Sequence, residues 1–231
     1  TYNKYDNIIR EDEEIILDYF NQYKTALIYD KEEAYEMLDK EYREKRFGSV
    51  QNFVSYVNKN IKEMYLVTLD KYLVKNKSDY TQYVCIDTNG KYYVFRQYSI
   101  ADFKIILDTY TIDLPEFLEK YNSTNAQGKV GLNIQKFMDA INADDYNYAY
   151  NCLSTGFKTN YFKTLQDFEK YIESALYTKN EVSYESFEEQ SGLYKYKVKI
   201  TNKENEAESI TKTFIVKLND GTDFEMSFNV D

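Results

Sequence analysis

From residue 8 to residue 29 the apolar positions fall three and four apart, at Ile8, Ile9, Ile15, Ile16, Tyr19, Phe20, Tyr23 and Leu27. That spacing predicts an amphipathic helix. Asp30 is placed to cap a second helix carrying Ala34, Tyr35, Met37 and Leu38, with Phe47 in the connector after it. Ser49 caps a third helix that bears Phe53, Tyr56, Val57 and Ile61. The period then changes from 3.6 to two. LVTLDKYLV, YTQYVCID, KYYVFRQY and DFKIILDTYTI read as four strands, with Thr88-Asn89-Gly90-Lys91 predicting a type I′ hairpin turn between the second and third.

The same order recurs. Helices are predicted around Leu132–Ile141, from Asp144 or Asp145 through Leu153, and from a Thr164 cap through Leu176. Strands follow at EVSYESFEE, LYKYKVKI, TKTFIVKL and TDFEMSFNV, with a turn at Asn219-Asp220-Gly221. Tyr19–Val57 aligns without gaps on Ile134–Ile172 at an offset of 115. Identities fall at Asp30/Asp145, Ala34/Ala149, Tyr35/Tyr150, Leu38/Leu153, Phe47/Phe162, Gln51/Gln166, Phe53/Phe168 and Tyr56/Tyr171. Most lie on expected buried faces, which argues for duplication of a fold. The strands continue the match at offset 114 (Tyr80/Tyr194, Val84/Val198, Ile86/Ile200) and then at 121 (Tyr93/Phe214, Asp102/Asp223, Phe103/Phe224). The jump is assigned to a longer polar hairpin loop at TNKENEAES. Pro115, the only proline, opens a short helix before polar NSTNAQGK. The expected organisation is residues 1–113 as a first domain, 114–128 as a linker with a short helix, and 129–231 as a second domain.

Composition then narrows function. The chain has 231 residues and a net charge of −10, with neither half basic, which argues against duplex nucleic acid or an anionic membrane surface as partner. No histidine is present, so the commonest general base and metal ligand at neutral pH is missing. Cys85 and Cys152 fall in different elements of different halves, and no disulfide is expected between them. No apolar run is long enough to span a bilayer.

Three helices followed by a four-stranded antiparallel meander is an α+β pattern, and a curved sheet wrapped round the helices would leave a cone-shaped interior. The long first helix, AYEMLD and AYNCLS on the second, FGSVQNFVSYV and FKTLQDFEKYI leading through the third, and the long terminal strands resemble the nuclear transport factor two-like superfamily, or cystatin-like α+β cones. KVGLNIQKFMDAINADDYNYAYNCLSTGF further resembles tandem domains of uncharacterised Gram-positive bacterial proteins, many of them held outside the cell by an N-terminal membrane helix. Similar paired cones occur in scaffold subunits of conjugation and type IV secretion machinery. The resemblance implies two tandem cones and an extracytoplasmic, cell-surface or membrane-anchored place, with another envelope protein as partner. It carries no functional residue onto this chain.

Enzymes on such cones place Asp, His, Tyr or Arg inside. The carboxylates offered here are Asp30/Asp145, read as helix caps, and Asp102/Asp223, read as strand-start residues. Tyr35, Tyr56, Tyr150 and Tyr171 are the candidate pocket-lining residues. The alternative is that they are core, with hydroxyls at the rim. EDEE at 11–14 and NADD at 142–145 lack the alternating spacing of a calcium loop and read as solvated helix starts. YKYKVKI reads as a half-buried strand. The expectations are therefore no catalytic residue, no metal, no cofactor and no membrane insertion by this segment. The favoured reading is a non-enzymatic binding or scaffold module; the alternative is a small-molecule carrier or sensor using a Tyr-lined cone.

Overall fold

In the computed structural model, α1 (Lys4–Tyr29) is the first helix, and its described side chains settle which face it buries. Ile16, Phe20, Tyr23 and Leu27, spaced four, three and four apart, are each at most 2% exposed, whereas Ile15 and Leu17 face solvent. The structure describes residues 4–231, with side chains at 13–70 and 72–231. The side chains of Ile8, Ile9, Glu11 and Asp12 lie outside the described residues.

The chain is a mixed α+β structure of helices and strongly curled antiparallel sheet. It divides into two compact units, Thr1–Ile112 and Asp113–Asp231. In the first, α1 is followed by α2 (Lys31–Glu36), α3 (Lys40–Arg46) and α4 (Val50–Tyr65), then by β1 (Leu69–Asn76), β2 (Thr81–Asp87), β3 (Tyr92–Ser99) and β4 (Asp102–Ile106). The second opens with α5 (Pro115–Ser123). It continues through α6 (Ala126–Asn142), α7 (Tyr146–Asn151), α8 (Thr155–Tyr161) and α9 (Leu165–Ala175) to β5 (Asn180–Gln190), β6 (Leu193–Asn202), β7 (Asn205–Leu218) and β8 (Phe224–Phe228). Each sheet is a four-stranded meander, β1-β2-β3-β4 and β5-β6-β7-β8.

The expected second helix is in fact two. Asp39 in the first unit and Ser154 in the second act as N-caps, accepting from Tyr42 N at 3.1 Å and Phe157 N at 3.3 Å, and each starts a new short helix. The chain is released from the preceding helix because a strand edge satisfies its backbone. Asp39 N donates to Ile105 O and Ile105 N to Met37 O; Ser154 N donates to Met226 O and Met226 N to Cys152 O. Leu38 and Leu153 thereby pair in parallel with the last strand of their sheets. Asp39 is only 7% exposed, so this segment does not trail into solvent as its polar letters suggest.

Register corrects the repeat in the strands. Leu38 pairs with Ile105 and Leu153 with Met226, which fixes the offset of β4 on β8 at 121. Val94↔Ile106 and Ile215↔Ser227 then give 121 for β3 on β7. Cys85↔Tyr93 against Tyr196↔Phe214 makes Cys85, not Gln82, the counterpart of Tyr196, an offset of 111. An offset of 114 has the wrong parity: it would carry half-buried Val84 onto fully buried Val198 and exchange the two faces of the strand. The added length at TNKENEAES is not a loop either. It extends the hairpin as paired strand, with Thr201 opposite Ser209 and only Lys203 and Glu204 between β6 and β7.

The turns follow side-chain chemistry. Asn89 has no positive φ, so the β2–β3 turn is not type I′. The Asp87 carboxylate accepts from Asn89 N at 2.9 Å and Lys91 N at 2.8 Å, and Gly90 closes the three-residue loop at φ 82°. The type I′ arrangement sits instead between β5 and β6, where Ser191 and Gly192 have φ of 53° and 78°.

Candidate functional site

Four aromatic rings form the same chain of contacts in each unit. In the first, Tyr35 lies 5.5 Å from Phe53, Phe53 5.0 Å from Phe47, and Phe47 5.3 Å from Tyr56. In the second, Tyr150 lies 5.7 Å from Phe168, Phe168 5.5 Å from Phe162, and Phe162 5.1 Å from Tyr171. The caps set this up. Asp30 and Asp145 accept from Glu33 N and Tyr148 N and start the helix that carries the first tyrosine. Ser49 and Thr164 start the helix that carries the Phe and the second tyrosine. Each well-oriented aromatic pair adds about 0.5–1.5 kcal/mol beyond its buried area. The four candidate tyrosines are thus joined two by two through phenylalanines, not across an open space.

A cation lies over the ring of each, and the hydroxyls of Tyr150 and Tyr171 are hydrogen-bonded. Tyr35 is 6% exposed and stacks beneath the Arg43 guanidinium, 5.1 Å from its ring centre. Tyr150 Oη donates to Phe162 O at 2.7 Å, and Lys158 lies over its ring. Tyr56 and Tyr171, at the other end of each chain of rings, both sit against a cation, half-buried in the first unit and buried in the second, that comes from a different element in each.

In the first unit it is Arg46 of α3, 5.5 Å from the ring centres of both Tyr56 and Phe47. Asp108 is its counter-ion, with Oδ2 at 3.9 Å from Nε. The same carboxylate accepts from Tyr42 Oη (2.8 Å), Thr111 Oγ1 (2.8 Å), Thr111 N (2.8 Å) and Tyr110 N (3.1 Å). These last bonds turn the chain and end β4 earlier than its alternating pattern implies. Burial, together with the Asp108 charge, pushes the Tyr42 phenol well above its usual range. Burial works against the Arg46 charge, but Tyr110, Tyr42 and Asp108 outweigh it, so the guanidinium is held firmly protonated.

In the second unit the cation is Lys212 of β7, 5% exposed. Its Nζ donates to Tyr171 Oη at 2.6 Å and to Asn229 O at 2.8 Å, and it lies over the Tyr171 and Phe228 rings. Phe137, Ile172, Leu176, Ile200 and Phe214 enclose the space beside it, leaving a cavity of about 10 Å³. That volume is about the least that admits one water. Elsewhere in this unit Lys136, 8% exposed, pairs with Asp113, whose other oxygen accepts from Thr222 Oγ1 at 2.6 Å, and the Lys136 ammonium lies 3.9 Å from the Phe117 ring centre.

The remaining sequence candidates do not converge on a site. Asp102 and Asp223, offered as inward carboxylates, are exposed on the flank of their sheets. Cys85 and Cys152 are free and buried, and burial pushes both thiols up to about 12. No group of His, Cys, Asp or Glu able to hold a metal occurs among the described residues. No helix among them is long and apolar enough to cross a membrane.

Sequence reading missed Asp108, Arg46, Lys136 and Lys212. Lys212 had a visible signal: it stands two residues before Phe214 and four before Val216, on the apolar face of an alternating strand. Asp108 had none, because its partners are 66 residues upstream and on the following turn.

Residues 123–221, most of the second unit, are similar to a domain of unknown function, DUF4864. No curated protein and no solved structure matches the chain.

Proposed function

We propose that the chain is a non-enzymatic binding or scaffold module of two tandem cone-shaped domains of the nuclear transport factor two-like kind. It is the soluble part of a bacterial envelope protein, works outside the cytoplasm and acts through its surfaces on another envelope protein. The observation that carries this reading is the filling of the interior. Beside Lys212 only about 10 Å³ remains, against the several hundred cubic ångströms of a small-molecule site. The four candidate tyrosines are packed into ring chains, and the charges Arg46, Asp108, Lys136 and Asp113, of which Asp108 and Lys136 are buried, bind one another or neighbouring hydroxyls. The carrier reading needs several hundred cubic ångströms, far more than the space beside Lys212 offers. The envelope location rests on the resemblance alone.

Two measurements test the proposal. Protease accessibility of the full-length gene product in intact and lysed cells of its host reports the compartment, and protection in intact cells refutes the extracytoplasmic assignment. Thermal melting of the purified chain against a library of metabolites reports the interior. A ligand that raises the melting temperature in wild type but not in Phe214→Trp refutes the filled-scaffold reading.

A further inference from the structure

The long helix of each unit, α1 and α6, is covered differently in the two. Burial sets Ile16, Phe20, Tyr23 and Leu27 of α1 on Val130, Ile134, Phe137 and Ile141 of α6, an offset of 114 within this helix. Asp144, at φ 54°, is the added residue that restores 115 by Asp145. Gln22 then corresponds to Lys136, and Ala26 to Ala140. In the second unit residues 113–123 close that face. Lys136 pairs with Asp113 and lies 3.9 Å from the Phe117 ring centre, Asn133 Nδ2 donates to Tyr121 Oη at 3.4 Å, and Ala140 is 0% exposed. In the first unit no described element takes the place of α5. Gln22 is exposed there, and the face is left as a groove of about 510 Å³ between α1 and the start of α2. From Asp18 to Tyr29 the groove runs about 16 Å along α1, and the nine residues of α5 span about 14 Å.

The charge is inverted as well. Where the second unit presents Lys136 to an acidic segment, the groove presents Asp18, Asp30 and Glu33, all exposed and none in an ion pair among the described residues. Asp30 Oδ1 accepts from Glu33 N, which leaves its other oxygen open. Tyr29, 83% exposed, offers its ring to a cation. We infer that this groove is the docking surface of the first unit for a helix of the partner protein, one that carries lysine or arginine along the face meeting α1 and α2. Its cations meet Asp18 at one end and Asp30 and Glu33 at the other, and the small, buried Ala26 lets its backbone come close. The two units thus cover the same face, one with its own helix and the other with a partner's. The inference rests on the binding-module reading and adds to it the surface and the chemistry of the partner.

The experiment is fluorescence anisotropy of a labelled, helix-stapled peptide copy of residues 113–124, carrying Asp113→Lys and Glu116→Lys beside the native Lys120, titrated with the full chain. The peptide should bind, and less tightly as salt rises. The same peptide with its native acids should bind about tenfold less tightly, and so should the basic peptide to Asp18→Asn/Glu33→Gln, which lacks two exposed ion pairs. Gln22→Trp keeps every carboxylate but fills the groove, and it should abolish binding. All three positions are exposed, so the variants should fold, with melting temperatures equal to wild type as the check. No binding of the basic peptide, equal binding of the two peptides, or binding that survives unchanged in Gln22→Trp or in the charge variant overturns the inference. The binding-module reading stands or falls separately, on the compartment and on ligands of the interior, which the peptide does not probe.

Discussion

Removing the Asp108 carboxylate tests whether the polar centre of the first unit is structural. Asp108 is 9% exposed and accepts four hydrogen bonds, two from backbone N–H groups and two from hydroxyls, while Arg46 stands 3.9 Å away. Asp108→Ala leaves a guanidinium whose side chain is only 12% exposed short of its anion, a loss that costs about 3–5 kcal/mol. The freed Tyr110 and Thr111 N–H groups are buried as well, so the loss falls toward the upper end of that range and about 4 kcal/mol or more is expected. Tyr42→Phe removes one bond to a charged acceptor from a residue that is 0% exposed, which costs about 2 kcal/mol. The double variant counts the shared bond once, so a coupling energy of about 1–2 kcal/mol should separate it from the sum of the singles. The assay is urea unfolding followed by circular dichroism, with Tyr42→Phe as the milder arm. At about 2 kcal/mol per molar urea, Asp108→Ala should lower the midpoint of the first unit by about 2 M. A cost below about 1 kcal/mol, or strict additivity, would refute the reasoning.

Other outcomes follow from single contacts. Phe168, 0% exposed and in ring contact with Phe137, Tyr150 and Phe162, should cost about 3–5 kcal/mol on truncation to Ala, read by the same urea assay. Gly192→Ala should destabilise by about 1 kcal/mol because its φ is 78°, whereas Gly156→Ala, in the first turn of α8 with open space around its Cβ, should stabilise by about 0.5–1 kcal/mol. Both thiols are buried acids whose folded pKa is raised to about 12, above an unfolded value near 8.5. Their contribution is therefore complete below pH ~8.5 and is lost as pH rises toward 12, so melting temperature should fall across that alkaline window, less steeply in a Cys85→Ala/Cys152→Ala variant. Iodoacetamide should label neither cysteine in the folded chain at pH ~8 and both in urea.

What could be read from the sequence was whatever the local period determines. The faces of α1, α4, α6 and α9, the caps at Asp30, Ser49, Asp145 and Thr164, and the half-buried alternation of β6 follow from neighbours within a few residues. The helix break before Asp39 was hidden because its cause is Ile105, a backbone partner 66 residues away. The strand offset was misjudged because Tyr, Val and Ile recur every second residue, so a match of letters can fall on the wrong face; only hydrogen-bond register distinguishes 111 from 114. The tyrosines were visible as an inward pair in each half, but their role depends on Phe47, Phe53, Phe162 and Phe168 filling the space between them, which is a property of packing. Lys212 could be placed on the apolar face, yet its partners Tyr171 and Asn229 come from α9 and the chain beyond β8.

The central claim is that the interior of the second unit is filled by its own side chains. Xenon-pressurised crystals test it most directly, because xenon enters apolar cavities of about 150 Å³ and marks them with strong density. The account predicts no xenon among Phe137, Ile172, Ile200, Phe214 and Phe228, where about 10 Å³ is open. A well-occupied xenon site there would contradict it and favour the small-molecule reading instead.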